Sequence, residues 1–179
     1  MPHPQPWART GWQEMGKKLG RPEVIIAVSS HWMTEGLCVR RSETNPQIFD
    51  MYGFPEELYQ IHYEPQGSIQ WADKVLAALG PQASVKNDWG IDHGTWSVLV
   101  KAFPKANVPV VQLSIDGTKP PAWHYAMGER LRPLRDEGIL IIGTGNIVHN
   151  LPRMDGSDRM GAPLPWAKRV NDHIRSAIA

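Results

Sequence analysis

The chain has 179 residues, 41% of them hydrophobic and 21% charged, which is ordinary composition for one globular domain with a buried core. Its 19 basic side chains nearly cancel 18 acidic ones, so it lacks the basic footprint of a nucleic-acid binder. A single cysteine, Cys38, excludes an internal disulfide and a cysteine-built zinc cluster, and fits a reducing compartment.

Along the chain, Met1-Pro2-His3-Pro4-Gln5-Pro6 lacks the cationic-then-apolar pattern of a signal peptide, and no later stretch is apolar enough to span a bilayer. The expectation is a cytoplasmic protein with no membrane or nucleic-acid partner, its oligomeric state unspecified. Trp12, Met15 and Leu19 recur at helical spacing, and Gly20-Arg21-Pro22 stops that helix. Glu23–Ser29 reads as a buried strand with His31 just past its end, and Gly36–Arg41 as a shorter strand holding Cys38. A long loop follows from Asn45, and Pro55 opens a short helix whose Glu56 and Glu57 suit a helix N-terminus.

Ser68 can cap a helix running to Leu79, with Ile69, Ala72, Val75, Leu76 and Leu79 as its inner stripe, and Gly80-Pro81 ends it. Ser84–Lys86 reads as a short strand, and Thr95–Phe103 as a helix through Trp96, Leu99, Val100 and Phe103. Val108–Ile115 is a strong strand that tolerates Pro109 near its start. Pro121–Glu137 reads as one helix turning Trp123, Met127, Leu131 and Leu134 inward, followed at Gly138 by a strand over Ile139–Ile142. A last helix from Pro165 is expected to bury Trp166, Val170, Ile174 and Ile178. Strands alternating with helices predict an α/β fold: a three-layer sandwich with a largely parallel central sheet and helices on both faces.

In such a fold ligands bind at the C-terminal ends of the strands. His31 follows one apolar strand and His149 another, while His93 lies in the tight segment Gly90-Ile91-Asp92-His93-Gly94-Thr95-Trp96. A neutral imidazole is the commonest protein metal ligand, although a histidine at a strand end also serves simply as a hydrogen-bonded scaffold residue. Gly143, Gly145 and Asn146 allow the sharp turn from which His149 projects. That turn lacks the third glycine of a dinucleotide fingerprint and the Gly-Lys-Ser/Thr of a phosphate loop, which argues against nucleotide binding. Asp92 can orient an imidazole or cap the helix after it, and a histidine near a helix N-terminus tends to stay neutral. Tyr52, Phe54 and His62 can line a pocket for a planar substrate, or belong to plain core. Of the other histidines, His124 reads as partly buried scaffold, His173 as solvated, and His3 as part of the terminus. Cys38 has no base beside it in sequence.

Five ordered segments carry a resemblance: Ser29-Ser30-His31-Trp32, Asp50-Met51-Tyr52-Gly53-Phe54-Pro55, Gly90–Trp96, Pro109–Asp116 and Gly145–Leu151. Together they resemble the class III extradiol ring-cleavage dioxygenases of the DOPA-dioxygenase type, over nearly the whole chain. The resemblance implies an α/β fold and a non-haem Fe(II), with zinc sometimes in its place. It implies a catechol-type aromatic diol and O₂ as the small-molecule partners. By the same resemblance His31 matches a metal ligand, His149 a further ligand or acid–base group, and His93 a histidine that contacts oxygen or substrate. The family pattern also has a Gly-His-Gly-Ser-Pro-like motif before this point and a further histidine ligand after it. The resemblance therefore implies a single domain over residues 1–179, incomplete at both termini relative to the family. Two other readings stand beside the enzyme: an inactive scaffold of the same fold that binds a small molecule or protein, and a zinc hydrolase that activates water.

Overall fold

In the computed structural model, residues 6–153 and 163–178 are described. The strands are β1 (Val24–Thr34), β2 (Leu37–Val39), β3 (Ala83–Val85), β4 (Val110–Asp116) and β5 (Ile139–Thr144). The helices are α1 (Pro6–Leu19), α2 (Glu56–Tyr59), α3 (Ile69–Leu79), α4 (His93–Ala102), α5 (Pro121–Leu131) and α6 (Pro165–Ile178). His3 lies outside the described residues. The described residues up to Thr144 form one compact unit, and those from Gly145 onward form another.

The apolar run Val24-Ile25-Ile26-Ala27-Val28 becomes an interior strand because both its faces are covered. β1 pairs in parallel with β4, Ile25 opposite Val110, and on its other edge in parallel with β5, Ile25 opposite Leu140. The five-stranded order is β3-β2-β4-β1-β5, and only the β2–β4 pairing is antiparallel. Successive side chains of a strand point to opposite faces. Val24, Ile26, Val111, Leu113 and Ile139 meet α3 and α5, while Ile25, Ala27 and Val110 meet Trp96, Leu99 and Ala102 of α4. A largely parallel sheet between two helical layers is the expected architecture.

α3 forms where its sequence pattern places it. Ser68 Oγ accepts from Trp71 N at 3.3 Å, and Ala72, Val75 and Leu79 are buried. Three expectations need correcting. β1 continues to Thr34, so His31 lies within the strand, where the pairing with β4 slips register between Val28 and Met33. The α-helix after Pro121 stops at Leu131 and tightens into a 3₁₀ turn over Arg132–Glu137, because Pro133 has no N–H to continue it.

α1 forms as its spacing implies; Met15 is half-buried against the α4 cluster, while Trp12 is 39% and Leu19 43% exposed. It approaches α4 through Gly16, where a Cβ would stand 2.0 Å from the carbonyl oxygen of Ala102. The absence of a side chain, not an apolar one, makes that contact. In α6 no residue is buried, Val170 being 42% and Ile178 78% exposed. A unit of fewer than about 40 residues has too little chain to enclose a core of its own.

Candidate metal and acid–base site

β1 ends its apolar run at Ser29, and the register slip that follows turns His31 out at the C-terminal edge of the sheet. Local polar bonds hold that irregular stretch. The His31 backbone N–H donates to Ser29 Oγ at 3.2 Å, and Ser29 Oγ donates to Asp92 Oδ1 at 2.9 Å. Asp92 is fully buried and also accepts from Thr95 N at 2.9 Å and from Trp89 Nε1 at 2.9 Å. It is the N-cap of α4. The helix therefore begins at His93, two residues before the sequence expectation, and of the two roles open to Asp92 the structure assigns capping. Gly94 lets the helix start lie close to the strand: a Cβ there would stand 3.0 Å from Ser29 Oγ.

The carboxylate that orients the imidazoles is Asp50. Its Oδ2 accepts from His31 Nδ1 at 2.9 Å, and its Oδ1 accepts from both the backbone N–H of His93 at 2.8 Å and His93 Nδ1 at 2.9 Å. The two rings lie 4.1 Å apart between centroids. Burial pushes the Asp50 carboxyl up, but the hydrogen bonds from the His93 backbone, the His93 ring and the His31 ring outweigh it and hold the group below its ordinary value. The side chains of His31 and His93 remain 25% and 27% exposed, so both rings are reachable by a ligand while tethered from behind.

Asp50 sits in the long loop after β2, and that loop is tied down at several points. Ile48 N donates to Ile91 O and Ile91 N to Pro46 O, joining the loop to the segment before α4. Gln47 clamps the loop's returning limb through Ile61 O and Tyr63 N. The buried Arg40 guanidinium donates to Thr44 O, Asn87 O and Trp89 O. Phe49, next to Asp50, rests edge-on against Trp96, whose Nε1 donates to Ile48 O.

Among the described residues, His31, Asp50 and His93 form the one cluster able to hold a metal ion, with one ligating atom from each within 4.8 Å of the others. Imidazole nitrogen and carboxylate oxygen are both ligand types for a divalent metal. Each Asp50 oxygen is already committed to an imidazole Nδ1, so its chemistry here is that of the partner that orients metal-binding histidines from behind. The ring nitrogens that Asp50 leaves free are the donors that would hold a metal.

The remaining candidates are distributed more widely. The Phe54 ring lies 6.4 Å from His93. Tyr52 is 90% exposed, and His62 is exposed on the same loop. His149 belongs to the second unit, where it is exposed and borders a hollow of about 390 Å³ with Ile147, Asn150, Pro152 and Trp166. His124 is half-buried, with Nε2 3.0 Å from Asp116 O, and His173 is exposed. Cys38 is buried in β2. Asp50 carries no assigned role in the sequence beyond its place in the segment Asp50–Pro55. Its one local signal is an acid set between Phe49 and the aromatic turn Tyr52-Gly53-Phe54.

An α/β sandwich with a carboxylate-linked imidazole pair at the C-terminal end of an interior strand defines an open-sheet protein with a candidate metal site. The chain belongs to the family described as the catalytic LigB subunit of aromatic ring-opening dioxygenase, which it matches over residues 9–176. It is 45% identical over 169 residues to the 4,5-DOPA dioxygenase extradiol of Escherichia coli K12, covering 93% of this chain and 62% of that protein. To the 4,5-DOPA dioxygenase extradiol of Beta vulgaris it is 35% identical, covering 88% of this chain and 60% of that one. The crystal structure of an uncharacterized protein from Escherichia coli K12 superposes with a TM-score of 0.79 at 39% identity, over 98% of this chain and 67% of the other. The chain thus spans about three fifths of the length of these curated relatives.

Proposed function

We propose that the chain acts as a non-haem metal-dependent extradiol dioxygenase that opens a catechol-type ring with O₂, or forms the corresponding part of one. The single observation that supports this most is Asp50 bonded to the Nδ1 atoms of both His31 and His93, within a chain of this family. In this reading His31 is a metal ligand through Nε2, its Nδ1 being held by Asp50. Fe(II) is the metal, and zinc can take the same nitrogens. The ion, when bound, supplies open coordination positions and redox chemistry that side chains lack.

The chain's own residues do the rest. A catechol must lose protons to chelate, and in this reading His93 Nε2 accepts one. The Nε2–H that this leaves on the ring then donates to charge developing on oxygen. His149 serves as a further ligand or acid–base group. Phe54, with Tyr52 and His62, contacts the aromatic ring of the substrate. The 4,5-DOPA named for the relatives is the first diol to try.

The test is metal analysis after anaerobic loading with Fe(II), followed by oxygen uptake on DOPA and simple catechols. The expected result is one metal per chain, uptake that depends on the diol, and loss of the metal in His31→Ala. Absence of both metal and uptake overturns the reading. Small-molecule binding that survives chelators and His31→Ala would favour an inactive scaffold. Ester or amide hydrolysis without O₂ would favour a zinc hydrolase.

A further inference from the structure

The two oxygens of Asp50 are used unequally. Oδ2 takes one partner, His31 Nδ1, at 2.9 Å. Oδ1 takes two, the His93 backbone N–H at 2.8 Å and His93 Nδ1 at 2.9 Å. An ionised carboxylate has no proton to give, so each of these hydrogen bonds needs its proton on the histidine side. We infer that Asp50 is a positioning residue that locks His31 and His93 together in the Nδ1–H tautomer, leaving an Nε2 lone pair on each ring for the ligand. The purpose of those lone pairs rests on the metal-dependent reading above. The tautomers themselves do not.

The inequality separates the two rings. In Asp50→Asn the side chain offers one acceptor oxygen and one N–H₂ donor. The His93 backbone N–H can only donate, so it retains the carbonyl oxygen on its side, and the His93 ring keeps its Nδ1 proton. The amide nitrogen then faces His31, whose Nδ1 must become an acceptor. His31 alone switches to the Nε2–H tautomer and loses the lone pair assigned to the metal. A carboxylate that merely fastened the loop would produce no such one-sided switch.

The test uses the full ¹⁵N-labelled, metal-free chain at pH about 8, above the ordinary histidine value of about 6.5. Long-range ¹H–¹⁵N correlations report the tautomer of each imidazole. The expected result is Nδ1–H on both rings in the wild type, and a switch of His31 with His93 unchanged in Asp50→Asn. An Nε2–H ring at either position in the wild type overturns the inference, whether or not the variant folds. A variant with dispersed amide signals in which His31 does not switch also overturns it. Titration with Co(II) gives the second readout: affinity falls about 10–100-fold in Asp50→Asn. If both wild-type rings are Nδ1–H yet no Co(II) binds, the tautomer inference stands and the metal-dependent reading fails. If Co(II) binds while a metal-free wild-type ring is Nε2–H, the inference fails and that reading survives.

Discussion

On one face of β1, Val24, Ile26 and Val28 meet the aliphatic side chains of α3 and α5. On the other, Ile25 and Ala27 meet α4, but Ser29 and His31 continue the row into a polar network with Asp92 and Asp50. Both faces belong to one strand held by the same two neighbours. The first face is closed from Val24 to Val28 by apolar contact, which contributes about 25 cal/mol for each Å² removed from water. The second starts as core and ends as a site, exchanging burial for oriented hydrogen bonds. A rigid strand thereby carries its reactive side chain only a few residues from the part that stabilises it.

The sharpest break of this contrast is Ile26→Ala on the first face. It should cost about 2–5 kcal/mol, seen as a lower denaturant midpoint, and leave the metal affinity of the molecules that remain folded unchanged. Asp92→Ala should cross the divide. It removes the α4 cap and strands the protons of Ser29 and Trp89, so the expected loss is about 2–3 kcal/mol by the same measurement. Because Ser29 and the start of α4 support His31 and His93, Co(II) affinity should fall with it. A variant that loses stability alone would show that the network is scaffold and not support for the site.

A smaller effect tests the core half of the second face. Tyr63 is buried and donates to Phe103 O at 3.1 Å, and Tyr63→Phe should cost about 1 kcal/mol. Burial raises the Tyr63 phenol well above its ordinary value, so the native state holds its proton longer than the unfolded chain does. Stability from this group is complete below pH about 10 and is lost as pH rises beyond that, and Tyr63→Phe should flatten that alkaline decline. His31→Ala removes one hydrogen bond from a carboxylate that keeps two others, and should also cost only about 1 kcal/mol. An unfolding curve close to wild type, beside complete loss of metal, would place His31 wholly on the functional side of the comparison.

Much of this arrangement is legible in the residues. Ser68 through Leu79 carries its cap, stripe and stop in one local stretch, and the strands at Val24 and Ile139 announce themselves by unbroken apolar runs. Pro133 is a visible breaker inside the expected helix, and Gly16 marks the α1–α4 contact only by what it lacks. His31 and His93 stand out because each is tied to an element end. Asp50 does not, because no periodicity governs a loop and a lone carboxylate says nothing of where it points. Its partners come from β1 and from α4, and only the fold brings those together. The same limit applies to α6, whose apolar residues every four positions describe a helix without describing what surrounds it.

The parallel pairing of β1 has a consequence for the order in which the molecule assembles. Neither neighbour of this strand is adjacent to it in the chain, so β1 waits unpaired until β4 and then β5 have been synthesised and docked. Such non-local pairing slows folding and leaves a long apolar strand exposed on the way. His31 reaches its final place only when that strand does. The site is thus among the last features to form, and a nascent chain ending before Thr144 would present this apolar strand to chaperones without a finished histidine pair.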